Sequence, residues 1–340
     1  MINHLIFFID FIVPDLRPKE NIMKNKLSFL PQVEAALAFI GNIDVSADQG
    51  EMEAGRAFYR HFIPMAGAAE NVYRVEDRLI PSLQDNTEIG IRIYRPSAQE
   101  NLPAVVYFHG GWFMAGGLDT HDRPLRSLAN LSAAIIISVD YRLAPEFPFP
   151  YGANDCYDAL LWIAANATEL GIDINRIALA GDSAGGALAA VTTRRAVMGN
   201  GPKIAGQVLI YPVTDSSLST ASWKEFAEGP NLTLEGAEHA WNCYTPNVAD
   251  RIRPDASPLM ADDLFGLPPT HMIMAEYDPL RDEAALYGRK LKAAGVILTE
   301  TTYSGMVHGF FQMAGMIDQG NEAIKEVAGV LRAYLKMTEA

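Results

Sequence analysis

A chain of 340 residues that is 49% apolar and 20% charged can bury a large core, which excludes intrinsic disorder and leaves room for one large domain or two ordinary ones. Its 27 basic against 41 acidic residues give a net charge of −14, a field that repels phosphate backbones and anionic lipid surfaces, so neither nucleic acid nor membrane is an expected partner. Two cysteines, Cys156 and Cys243, are too few for a disulfide framework, match no metal-ligand spacing and fit a reducing, cytoplasmic setting.

The chain opens on an apolar patch, His4 to Pro14, which Asp10 interrupts and which is far shorter than the ~20 residues that span a bilayer. It has no basic stretch before it and no small-residue cleavage site behind it, and so reads as a segment packing on the body or lying upstream of a start at Met23. Residues 30–42 and 47–62 carry apolar positions at helical spacing. After Pro64 the texture changes: residues 71–81 and 88–96 read as two strands of an antiparallel hairpin joined by a polar turn.

From Leu102 onward, short β-branched runs alternate with longer helical ones, the pattern of an α/β protein with a mostly parallel central sheet flanked by helices. The strand runs are 104–108, 134–139, 177–180, 207–211, 271–275 and 298–303; helices are expected over 154–170, 282–295 and from Glu322 to the C-terminus. Between Ser216 and Asp255 the alternation breaks, over a stretch too long for a simple loop, and a helical insertion is expected there.

In open α/β sheets the reactive groups gather outside the carboxyl ends of the strands. The stretch from Ile177 to Ala190, IALAGDSAGGALAA, passes from strand to helix through Gly181, Asp182, Ser183, Ala184 and Gly185. In such a G-x-S-x-G turn the small neighbours permit a tight corner that exposes the serine hydroxyl beside the free N–H groups of the following helix. A serine needs a base. Of seven histidines, His4 and His61 belong to the N-terminal region, His239 to the insertion, His121 follows a loop, and His271 lies at the amino end of its strand. His308, between Gly305 and Gly309 after the last strand run, is the one placed to reach inward. The acid should come from the strand between them, whose carboxyl end supplies Glu276, Asp278 and Asp282; Asp278 is the best placed, since Glu276 reads as strand and Asp282 as a helix cap. The run from Val105 to Gly117 ends a strand in His109, Gly110 and Gly111, where bare backbone can point N–H groups at a bound carbonyl.

Taken together, HGGWF at 109–113, DYRLAPEFPFP at 140–150, GDSAGG at 181–186, AEYDPLRDEA at 275–284 and HGF at 308–310 resemble the hormone-sensitive-lipase-like branch of the α/β hydrolases, the bacterial family IV esterases. The resemblance runs from about Lys24 to the C-terminus. It implies the α/β-hydrolase fold with a helical cap: residues 1–65 as N-terminal segment and cap helices, 66–215 and 256–340 as the two parts of the catalytic domain, and 216–255 as the cap insertion. It implies Ser183, His308 and Asp278 as nucleophile, base and acid, and the N–H groups of Gly110, Gly111, Trp112 and Ala184 as the oxyanion hole. Phe29, Phe58, Phe62, Trp223 and Trp241 become candidate pocket walls. Two positions depart from the family's pattern: Trp112 stands where a third glycine is usual, bringing an indole to the acyl or alcohol pocket, and Phe147 stands where a histidine is common.

The expected activity is hydrolysis of short-chain carboxylic esters, a small-molecule substrate, through an acyl-enzyme that needs neither metal nor cofactor. A homodimer is the assembly the resemblance suggests. Two other readings share the fold: a ligand-binding protein without turnover, as in the plant gibberellin receptors, which resemble this family but have lost the histidine, and an amidase or deacetylase.

Overall fold

Strict alternation of side chains along the β-branched runs builds a sheet that is apolar on both faces. The computed structural model describes residues 27–45, 50–85 and 87–336; the apolar patch at 4–14 lies outside them. Its eight strands are β1 (Arg74–Pro81), β2 (Glu88–Arg95), β3 (Leu102–Phe108), β4 (Ile135–Asp140), β5 (Ile172–Asp182), β6 (Gly206–Ile210), β7 (Thr270–Tyr277) and β8 (Leu298–Val307), in the spatial order β1-β2-β4-β3-β5-β6-β7-β8. The expected hairpin is present: β1 pairs antiparallel with β2, which pairs antiparallel with β4, and every later pairing is parallel. All six parallel strands therefore end on one edge, and the turns leaving β3, β5, β7 and β8 converge there.

The period-two pattern sorts the core into two layers. Val105, Tyr107, Ala178, Ala180, Val208 and Ile210 face one way, towards α3 (Asp122–Ser132) and α9 (Asp318–Lys336). Val106, Phe108, Ile177, Leu179 and Leu209 face the other, towards α4 (Tyr151–Ala165), α5 (Ala184–Met198) and α8 (Arg281–Ala293). Helices α1 (Pro31–Gly41) and α2 (Glu51–Arg60) join the first layer: Val33, Ala36 and Ile40 recur at helical spacing on α1 and are buried. Each large apolar side chain so removed from water contributes about 1.5–3 kcal/mol.

Several elements differ from expectation. The sequence did not single out α3, although its polar and apolar faces are well separated. The helix expected over 154–170 begins at Tyr151 and ends at Ala165, followed by turns. The 216–255 stretch holds two short α-helices, α6 (Ala221–Glu225) and α7 (Leu234–Tyr244), and a 3-10 turn at Val248–Asp250, joined by irregular chain. Thr233 caps α7 by accepting from Gly236 N at 3.1 Å. Trp223, Trp241 and Tyr244 from this stretch are buried in the second core layer. Among the described residues, no helix is long and apolar enough to cross a membrane.

Candidate active site

The turn after β5 is built by close backbone approach. A Cβ on Gly185 would fall inside the Phe108 carbonyl, and one on Gly181 inside the Gly185 carbonyl, so both positions require glycine. Ser183 between them is forced to φ 56°, ψ −120°, a backbone state that costs a non-glycine residue on the order of 1–3 kcal/mol and is held by its surroundings. Its N–H donates to Ile210 O at 2.8 Å, and its carbonyl accepts from Ala187 N and Val213 N, each at 3.2 Å. The strain holds Ser183 in the wall of a cleft whose empty space, open solvent at its mouth included, is about 880 Å³.

The three side chains expected to meet do so from widely separated positions. Ser183 Oγ lies 2.9 Å from His308 Nε2, and His308 Nδ1 lies 2.8 Å from Asp278 Oδ2. Asp278 is fully buried, and its other oxygen accepts from Leu280 N at 2.8 Å. A buried carboxylate beside Nδ1 makes that nitrogen the donor, which leaves Nε2 free to accept the serine proton. Asn231, from the 216–255 insertion, donates to the His308 carbonyl at 2.8 Å, and Tyr211 packs its ring 4.5 Å from the imidazole. The competing acids stand elsewhere. Glu276 accepts from Ser304 Oγ and Gly305 N, which hold its carboxyl below the ordinary value. Asp282 is the second residue of α8 rather than its cap, and accepts from Ser222 N at 2.8 Å.

The loop after β3 requires one correction. Gly110, expected among the oxyanion donors, gives its N–H to Asp182 Oδ1 at 3.1 Å and so has no donor free for a ligand. Among the described residues, the N–H groups of Gly111 and Trp112 make no backbone hydrogen bond, and Ala184, at the first position of α5, has no acceptor within its helix. The loop is braced by Met114 N and Ala115 N, which both donate to Gly111 O, and by Tyr141 OH, which donates to His109 O at 2.7 Å. Trp112 (φ 55°) and Phe113 (φ 61°) follow Gly111 in the left-handed region. The indole at 112 lines the cavity, as the departure from the usual third glycine implied.

Beneath this loop lies a buried network that sequence reasoning missed. Asp182 Oδ1 also accepts from Tyr107 OH at 2.8 Å and lies 3.1 Å from His121 Nε2. Burial alone would raise the Asp182 carboxyl, but His121 and Tyr107 hold it below its ordinary value. Gln312 touches His121 from the far side and accepts from Tyr59 OH on α2 at 3.2 Å. The signal for Asp182 was its place beside the nucleophile; His121 offered none, since the partners that bring it into the network, Asp182 and Gln312, lie 61 and 191 residues away.

The remaining cavity wall is mostly apolar and comes largely from α2 and the insertion, with Met52, Tyr59, Phe62, Leu232 and Met313. Of the aromatics proposed as walls, only Phe62 contributes. Phe58, Trp223 and Trp241 are buried in the core and Phe29 packs edge-on against Tyr277. His271 faces away from the site, with Nδ1 2.7 Å from Thr299 Oγ1. Phe147 packs on Tyr151, with the Arg142 guanidinium 5.4 Å from its ring.

A family described as having the alpha/beta hydrolase fold matches residues 105–312. The chain is 42% identical over 266 residues to a protein named carboxylesterase NlhH from Mycobacterium tuberculosis, spanning 77% of this chain and 83% of that one. It is 34% identical over 289 residues to an ethyl acetate hydrolase from Pseudomonas putida, spanning 83% and 90%. Among solved structures, the hyperthermophilic esterase from the archaeon Pyrobaculum calidifontis superposes with a TM-score of 0.84 at 40% identity, covering 90% of this chain and 99% of that one.

Proposed function

This chain belongs to the α/β-hydrolase fold family, in its hormone-sensitive-lipase-like branch, and from that premise we propose that it is a carboxylic ester hydrolase acting on short acyl esters through Ser183, His308 and Asp278. The observation that carries the reading is the chain of two hydrogen bonds, 2.9 Å and 2.8 Å, from the Ser183 hydroxyl through His308 to the buried Asp278. The curated relatives named as carboxylesterase and ethyl acetate hydrolase support the substrate class.

In the proposed sequence Ser183 Oγ attacks the ester carbonyl carbon as its proton passes to His308 Nε2. Asp278 steadies the imidazolium so formed. The carbonyl oxygen, now an anion, is received by the N–H groups of Gly111, Trp112 and Ala184; one such donor typically lowers the barrier by about 2.7–4 kcal/mol. Collapse breaks the bond to the alcohol oxygen, which takes the proton from His308 and leaves. Water then repeats the attack on the acyl-serine with His308 as base, and the acid departs.

The presence of His308 at hydrogen-bond distance from the serine favours turnover over a receptor role. Replacing Ser183 by Ala is expected to lower kcat on p-nitrophenyl acetate on the order of 10⁴–10⁶-fold, with the thermal midpoint little changed. Residual hydrolysis within tenfold of wild type would remove the serine from the mechanism.

A further inference from the structure

We propose that Trp112 sets the upper limit on the acyl group, an inference that rests on the ester-hydrolase reading. At φ 55° its backbone is in the region that favours glycine, yet the chain holds a large indole there, lining the cavity beside Ser183. The ring has an anchored neighbour: Trp223, which is fully buried and does not line the cleft, lies 6.4 Å from it between centroids. Trp223 Nε1 donates to Glu283 Oε2 at 2.7 Å, and the other oxygen of that buried carboxyl accepts from Thr214 N at 2.7 Å and Asp215 N at 3.1 Å. A side chain backed by such an anchored neighbour has little room to swing aside.

The direction follows from the chemistry. The departing alcohol must receive its proton from His308 Nε2, so it lies on the imidazole's side of the cleft, where Asn231 donates to the His308 carbonyl and Met313 approaches Gly309. The carbonyl oxygen is received by the N–H groups of Gly111 and Trp112, which sets the carbonyl carbon beside residue 112, and on this proposal the acyl substituent, leaving on the side away from the imidazole, is the part that meets the indole. The limit therefore falls on the acid half of the ester.

The test compares wild type with Trp112→Gly on two series: p-nitrophenyl esters with acyl chains from acetate to dodecanoate, and acetates of progressively bulkier alcohols. The readout is the ratio of kcat/KM within each series, which cancels any general effect on the oxyanion hole. We expect the decanoate-to-acetate ratio to rise at least ~10-fold in the glycine variant, the discrimination a few methylenes can carry, with the alcohol series unchanged within about twofold. If thermal unfolding shows the glycine variant to be poorly folded, Trp112→Phe, which shortens the wall, should give an intermediate ratio. An unchanged acyl ratio, or a shift confined to the alcohol series, overturns the assignment. A wild type that hydrolyses no ester of either series overturns the ester-hydrolase reading, and this inference with it.

Discussion

His109, the residue that leaves β3 for the oxyanion loop, is fully buried, with Nδ1 2.8 Å from Gly110 O and its ring stacked 4.3 Å from Tyr141. Burial, with His121 adding to it, pushes its pKa down from the ordinary 6.5 to about 3. Between those values the unfolded chain holds a proton that the folded protein refuses, so the stability from this residue is complete above pH 6.5 and is lost as pH falls towards 3. The slope is up to about 1.4 kcal/mol per pH unit. Urea unfolding at several pH values from 4.5 to 8 should show wild type losing stability on acidification relative to His109→Gln; parallel profiles would mean that the ring is not held neutral. At this scale the sequence was readable wherever a role depends on immediate neighbours. Ser183 could be found because the glycines that expose it lie two residues on either side. Gly110 could not be assigned correctly, because the partner that takes its N–H is 72 residues further along the chain.

Among the elements, α2 is the one whose attachment bears on turnover. Arg56, at its centre, donates to Met114 O at 2.9 Å and Ala144 O at 3.2 Å, and makes a two-pronged pair with Glu146 at 2.9 and 2.6 Å. This ties the helix that supplies one cavity wall to the strained loop carrying Trp112. The Glu146 side chain is half exposed, so solvent weakens the ion pair, whereas the two carbonyl bonds are better sheltered. Glu146→Gln should therefore cost at most about 1 kcal/mol, and Arg56→Ala about 1–3 kcal/mol. The alanine variant should also raise KM several-fold with a smaller change in kcat, because the wall moves while the hydrogen-bonded triad does not. An unchanged KM, measured beside thermal unfolding, would show that the helix holds its place without the arginine. The periodicity of α1, α8 and α9 was evident because each buries one stripe of residues at helical spacing. The 216–255 insertion was harder to read, since its short helices are fixed by tertiary contacts such as Trp223 to Glu283 and Asn231 to His308 rather than by local pattern.

For the molecule as a whole, the sheet order does what no single element can. Parallel strands bring the turns after β3, β5, β7 and β8 to one edge, so residues 125 and 30 positions apart in the chain come within 3 Å of His308. The alternating β-branched and helical runs made that architecture legible, and the chain order of serine, acid and histidine pointed to three side chains that meet at that edge. What remained hidden was the layer under the site, where Tyr107, His121, Asp182 and Gln312 meet from four separate elements. The direct test of the convergence is covalent labelling by a fluorophosphonate, followed by peptide mass mapping, in wild type and in His308→Ala. We expect one label per chain, on Ser183, and a labelling rate lowered ~10³-fold or more without the imidazole. A label on another residue, or Ser183 reacting equally fast in both proteins, would contradict it.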